Sequence, residues 1–143
     1  MHRVNEAKEI ADRYLAQWNE PDPATRGALI RDQWARDGIQ VLVDPPEEVR
    51  LAAANLAFPV PPLEVRGHDA LESRVTRAYE MFVAPGDHVF ELNGEASVLM
   101  PGVIAVRWSM VTRDGEAVGG GLDVLALDED GRIRTDHQFI GAV

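Results

Sequence analysis

The feature that most constrains this chain is a change of apolar period near residue 86. Before it, apolar residues recur at helical spacing; after it, they alternate as in half-buried strands. Val4, Ala7, Ile10, Ala11, Tyr14, Leu15 and Trp18 form a stripe that predicts a helix over 4–19. In NEPDPA, Asp22 suits an N-cap and Pro23 the first helical turn. A second helix therefore starts there, burying Leu29, Ile30 and Trp34 and stopping near Asp37-Gly38. IQVLV, 39–43, reads as a strand ended by Asp44-Pro45-Pro46. Residues 47–62 read as a helical lobe followed by a return stiffened by the prolines of FPVPP. A third helix follows Gly67-His68-Asp69. Asp69 and Glu72 have capping-box spacing, and Leu71, Val75, Ala78, Tyr79 and Phe82 make the stripe.

Beyond Pro85-Gly86-Asp87 the expected strands are 88–92, 96–100, 103–113, 116–127 and 132–140. Asn93-Gly94, Pro101-Gly102, Asp114-Gly115 and Asp130-Gly131 supply the turns between them. Helices first and an antiparallel meander afterwards predict one α+β domain over 1–143, its three helices covering one face of a curved sheet. A chain of 143 residues is long enough to bury roughly 70% of its unfolded surface.

Within the fourth of these strands, GGGLDVLAL places Asp123 among apolar residues on both sides. A buried carboxylate without partners costs several kcal/mol, or else takes up a proton. Hairpin geometry orients it. A two-residue loop at Asp114-Gly115 pairs Arg113 with Glu116, and so Asp123 with Val106, Trp108 with Gly121 and Met110 with Gly119. A like loop at Asp130-Gly131 pairs Asp123 with Gln138 and Leu125 with Asp136; a three-residue loop in either hairpin would reverse its assignment. The resulting face carries Val106, Trp108, Met110, Leu125 and Ile140, with Gly119 and Gly121 leaving space and Asp123, Asp136 and Gln138 as polar groups. An apolar concavity with a few convergent polar groups has the character of a small-molecule site. A closed core in which Asp123 merely meets a backbone or Gln138 donor is the competing reading.

Other chemistries find less support. A net charge of −10 opposes binding to nucleic acid or an anionic membrane. No apolar run nears the ~20 residues of a membrane span, and the N-terminus has no signal-peptide core, so a cytoplasmic location is expected. There are no cysteines, no GxGxxG and no GxxxxGK[ST], so no cofactor is expected. His2, His68, His88 and His137 are scattered, with no metal-binding spacing. Epoxide hydrolysis would need an arginine between two acids, but the candidate Arg107 falls on the face opposite Asp123.

The chain resembles the nuclear transport factor two-like superfamily, which includes ketosteroid isomerase and the SnoaL-like polyketide cyclases. RYLAQWNEPDPATRGALI with DGIQVLVDP is similar to that family's paired helices and first strand, VRGHDALESRV to its third-helix start, and LDVLALDEDGRI to its penultimate hairpin. The resemblance spans nearly the whole chain and implies a cone-shaped fold around an internal pocket. It implies that Tyr14 donates to an oxyanion, that Asp44 is a general base, and that Asp123 is a carboxylic acid kept protonated to donate a second bond. Asp136 or Asp123 could instead serve in a cyclase-type aldol closure. The residues also allow plainer roles: Tyr14 in the core, Asp44 capping the helical lobe, and Asp136 paired with Arg132 or Arg134 at an edge.

The lobe at 47–62 is longer than the isomerases' turn and suits a lid or insertion. The glycine run reshapes the pocket, and Asp136 with Gln138 makes it too polar for a steroid. The expected activity is thus cofactor-independent acid–base catalysis on a small carbonyl compound through an enol or enolate. The ligand would be held by Val106, Trp108, Met110, Gly121, Leu125, Gln138 and Ile140. The alternative is a non-catalytic binding or dimerisation module. The opposite sheet face, with Leu122, Val124, Ala126, Ile133, Thr135 and Phe139, is the expected homodimer surface.

Overall fold

Helix α1 (His2–Asn19) opens the computed structural model, which describes residues 2–43 and 63–141. It buries Ala7, Ala11, Tyr14, Leu15 and Trp18, the stripe expected from the spacing. At its end the Asn19 amide clamps β3 by donating to the Phe90 carbonyl (2.8 Å) and accepting from the Phe90 N–H (2.9 Å). Helix α2 (Pro23–Gln33) is capped by Asp22, whose carboxylate accepts the Thr25 N–H at 2.9 Å. It ends at Gln33, earlier than expected. Trp34 adopts an extended backbone, begins β1 (Trp34–Leu42) and is fully buried, so tertiary burial overrides the helical pattern there.

A strand that the pattern did not reveal, β2 (Leu63–Arg66), runs antiparallel to β1. Helix α3 (His68–Ala78) follows, packing Leu71, Val75 and Ala78 into the core, and continues as a π-helical turn, Tyr79–Val83. The expected capping box is not formed. Gly67 is the N-cap, while Asp69 and Glu72 accept from Arg31 of α2 at 3.2 and 2.8 Å. Two acidic side chains beside a guanidinium gain more from it than from their own backbone.

The remaining strands are β3 (His88–Leu92), β4 (Ser97–Met100), β5 (Val103–Thr112), β6 (Ala117–Leu127) and β7 (Ile133–Ile140). Each lies within one residue of its expected bounds. The sheet order is β2-β1-β7-β6-β5-β3, with β4 also on β5. All neighbours are antiparallel except β1 and β7, which run parallel and join the two halves of the chain. The three helices cover one face of this mixed sheet, an α+β architecture.

Both later hairpins reach the expected register by an unexpected route. Thr112 bonds to Glu116 and Asp128 to Arg132, so each loop has three residues, closed by glycines at φ +83° (Gly115) and +80° (Gly131). By itself this would reverse the facing of every residue beyond. One extra residue in the returning strand, Val118 in β6 and Arg134 in β7, restores the register. Asp123 therefore opposes Val106 and Gln138 as expected. Ile133 precedes the second bulge and is corrected: it lies on the helix-covered face and is buried in the core, not on the opposite face.

Candidate active site

Strand register arranges the covered face in rows. One row runs Gln40, Asp136, Leu125, Ile104 across β1, β7, β6 and β5. The next runs Leu42, Gln138, Asp123, Val106, and the one beyond it Ile140, Gly121, Trp108, Leu92. Two adjacent rows thus supply the polar groups, and the glycine end of β6 supplies the open space.

Tyr14, reaching down from α1, lies between the two carboxyls. Its hydroxyl oxygen is 2.7 Å from Asp123 Oδ2 and 2.6 Å from Asp136 Oδ2. Trp108 Nε1 donates to Asp123 Oδ1 at 2.7 Å, and Gln138 Nε2 reaches both Asp123 oxygens at 3.3 and 3.2 Å. Gln40 Nε2 donates to Asp136 Oδ2 at 3.0 Å and approaches the Tyr14 oxygen at 3.3 Å. Gln40, Asp123 and Asp136 have no exposed surface, and Tyr14 retains only 1%.

Counting protons decides the charge state. A phenol has one proton, and two ionised carboxylates at these distances would leave one oxygen pair with no hydrogen between them. A second proton, carried by one of the two carboxyls, removes this conflict. Asp123 receives donors on both oxygens, the surroundings of a carboxylate, whereas Asp136 Oδ1 has no partner. Burial, and secondly the charge of Asp123, push the Asp136 pKa well above the usual carboxyl range. Of the two carboxyls, Asp136 is thus the one whose surroundings favour the protonated form, whereas the resemblance implied that role for Asp123. Burial, reinforced by both carboxyls, also raises the Tyr14 pKa, which keeps the phenol neutral.

Behind this trio stands Arg74 of α3, which sequence reasoning missed. Its Nε donates to Gln40 Oε1 (3.3 Å) and its Nη2 to Gln138 Oε1 (3.0 Å). Both glutamines thus turn their oxygens to the guanidinium and their amino groups to the carboxyls. Some of the Arg74 surface remains exposed, but its guanidinium is desolvated enough that burial lowers its pKa, against the pull of Tyr14, Asp123 and Asp136. A signal for it was present: Arg74 lies three residues after Leu71 and four before Ala78, on the buried stripe. Gln40 likewise interrupts an apolar strand, the same signal that singled out Asp123.

Next to this network is an apolar cavity of about 150 Å³, bordered by Tyr14, Trp18, Phe82, Phe90, Trp108 and Arg74 among others. Phe90 packs edge-on against Trp18, Phe82 and Trp108 with ring centroids 5.6–6.4 Å apart. Of the expected ligand-holding residues, Trp108, Met110, Gln138 and Ile140 line it. Val106 and Leu125 do not, being fully buried in the rows beneath. Nor does Gly121, because the Trp108 indole lies across it: a Cβ there would sit 2.6 Å from Trp108 Cζ2. That close approach is what the glycine permits, and in this pose the indole N–H reaches Asp123. Asp123 and Asp136 lie behind the cavity wall and do not line it. Asp136 makes no edge pair with Arg132 or Arg134, since it is buried against Tyr14 and Gln40. Arg107 is exposed, on the far face. Asp44 and the 47–62 lobe lie outside the described residues.

A curved sheet and three helices around such a pocket form the cone of the nuclear transport factor two-like superfamily, and the chain has that fold. Among solved structures it is similar to a candidate isomerase of the SnoaL-like family from Agrobacterium tumefaciens. The two share 25% identity with a TM-score of 0.74, over 95% of this chain and 97% of that one. It is also similar to a nuclear transport factor two-like protein of unknown function from an Exiguobacterium species (17% identity, TM-score 0.62, 94% and 99% covered). A candidate polyketide cyclase from Sinorhizobium meliloti shares 15% identity, with a TM-score of 0.59 and 91% and 93% covered. No protein-family model matches the chain, and no curated protein sequence matches it. No helix among the described residues is long and apolar enough to cross a membrane.

Proposed function

We propose that the protein is a cofactor-independent acid–base enzyme of the isomerase or cyclase type, acting on a small carbonyl compound held in this cavity. The observation that carries the reading is the Tyr14 hydroxyl, bonded to a carboxyl on either side at the wall of an apolar pocket. A phenol in that position can pass a proton between the pocket and the acidic pair, and its dipole can stabilise an enolate oxygen where water is excluded. Arg74 adds a positive field to the same end of the cavity. In this reading Asp44 removes the proton alpha to the carbonyl. Names given to proteins of similar fold, a candidate isomerase and a candidate cyclase, agree with the reading.

The test is deuterium incorporation alpha to the carbonyl, followed by NMR for a panel of small ketones in D2O. The protein should accelerate exchange, and Tyr14→Phe should lower the rate by about 10²-fold, the usual loss of one oxyanion donor. No exchange in compounds that bind would favour the second reading, a binding module. One observation speaks for that module: neither Asp123 nor Asp136 lines the cavity, and the Tyr14 hydroxyl is already bonded within the network. We further infer a homodimer through the opposite sheet face, where Leu122, Val124, Ala126 and Phe139 are only half-buried in the single chain. Sedimentation as a monomer would remove that inference.

A further inference from the structure

The Arg74 guanidinium is held along one edge only. Nε and one hydrogen of Nη2 are taken by the oxygens of Gln40 and Gln138, while Nη1 and the second Nη2 hydrogen have no partner among the described residues. Arg74 forms no ion pair among those residues either, and it lines the cavity. Its plane is fixed along one edge by the two amides and on one face by the Trp18 ring, whose centroid is 5.3 Å from Cζ. A desolvated guanidinium with a preset, unused two-donor edge is matched by a carboxylate, whose two oxygens take such an edge bidentately.

We propose that the ligand is a small amphipathic carboxylate, its carboxylate on the outer edge of Arg74 and its apolar body among Trp18, Phe82, Phe90 and Trp108. The size of the body follows from the cavity. About 150 Å³ is the volume that admits a benzene ring in an engineered apolar cavity, so a body of about that size is expected. The acidic pair does not oppose this. Neither carboxyl lines the cavity, burial pushes Asp136 toward its neutral form, and Asp123 is bonded to Tyr14, Trp108 and Gln138 behind the cavity wall. This deepens the enzyme reading by making its carbonyl compound a keto acid. It rests on the same cavity but not on turnover.

Trp18 and Trp108 border the cavity, so tryptophan fluorescence reports occupancy. We would titrate the full chain with benzoate and with benzamide, which match in shape and differ in charge. Benzoate should bind at least about tenfold more tightly, reflecting a charge-assisted bidentate pair. Arg74→Met should bring the ratio of benzoate to benzamide affinity to about one, and Arg74→Lys, a charge without a fork, should give an intermediate ratio. Equal binding of the two probes by the unaltered protein would overturn the proposal. So would a preference that survives in Arg74→Met. Should that variant not fold, the comparison in the unaltered protein still decides. Benzoate preference without ketone exchange would leave this inference standing and remove the enzyme reading; ketone exchange without the preference would do the reverse.

Discussion

The two sides of the Tyr14 hydroxyl differ more than their shared chemistry suggests. On the β6 side, Asp123 collects an indole N–H, an amide N–H and the phenol. On the β7 side, Asp136 has one amide donor, shares the phenol and leaves Oδ1 without a partner. The lesson is that burial alone does not make a carboxyl neutral. Both are fully buried, and they differ in the number of donors that packing sets around them, three at Asp123 against the fewer at Asp136.

That asymmetry can be broken from either side. Asp123→Asn should cost most, about 3 kcal/mol or more, because it sets an amino group against existing donors and leaves Arg74 facing a cluster without a negative charge. Urea unfolding measures it, and a loss below about 1 kcal/mol would refute the carboxylate assignment. Gly121→Ala should cost about 1–3 kcal/mol as an overpacked contact, since its Cβ would meet Trp108 at 2.6 Å and the Phe139 carbonyl at 2.9 Å. Displacing the indole from Asp123 should also change the Trp108 fluorescence.

The smallest effect should come from Asp136→Asn. An asparagine amino group can donate to the Tyr14 oxygen but then faces the one Gln40 amino donor, against the indole and amide donors around Asp123, so the loss at neutral pH should be about 1–2 kcal/mol. Its pH dependence should change more. With a folded pKa raised above 3.8, Asp136 binds its proton more tightly when folded, so its contribution is complete below that value and is lost as pH rises toward the folded pKa. The variant should lack this decline. A parallel decline in both proteins would place the proton elsewhere.

Much of the architecture was legible because period and turn residues are local signals. The α1 stripe, the Asp22 cap and the strands from 88 to 140 depend on neighbours a few residues away. Asp123 was legible for the same reason, as a polar interruption of an apolar strand. The compensating bulges at Val118 and Arg134 were not, since each answers a loop length that no residue type specifies by itself. Nor was β2, a four-residue strand whose pairing partner lies across the 47–62 segment.

The sequence by itself determined the order of elements, the face on which Asp123 lies and the presence of several buried polar groups, because backbone period and amphipathicity act over short spans. Only the tertiary structure decided how those groups divide one proton and one charge. Tyr14, Arg74, Gln40, Asp136 and Asp123 come from five different elements. Whether a buried carboxyl is ionised depends on which donors packing brings within about 3 Å of it.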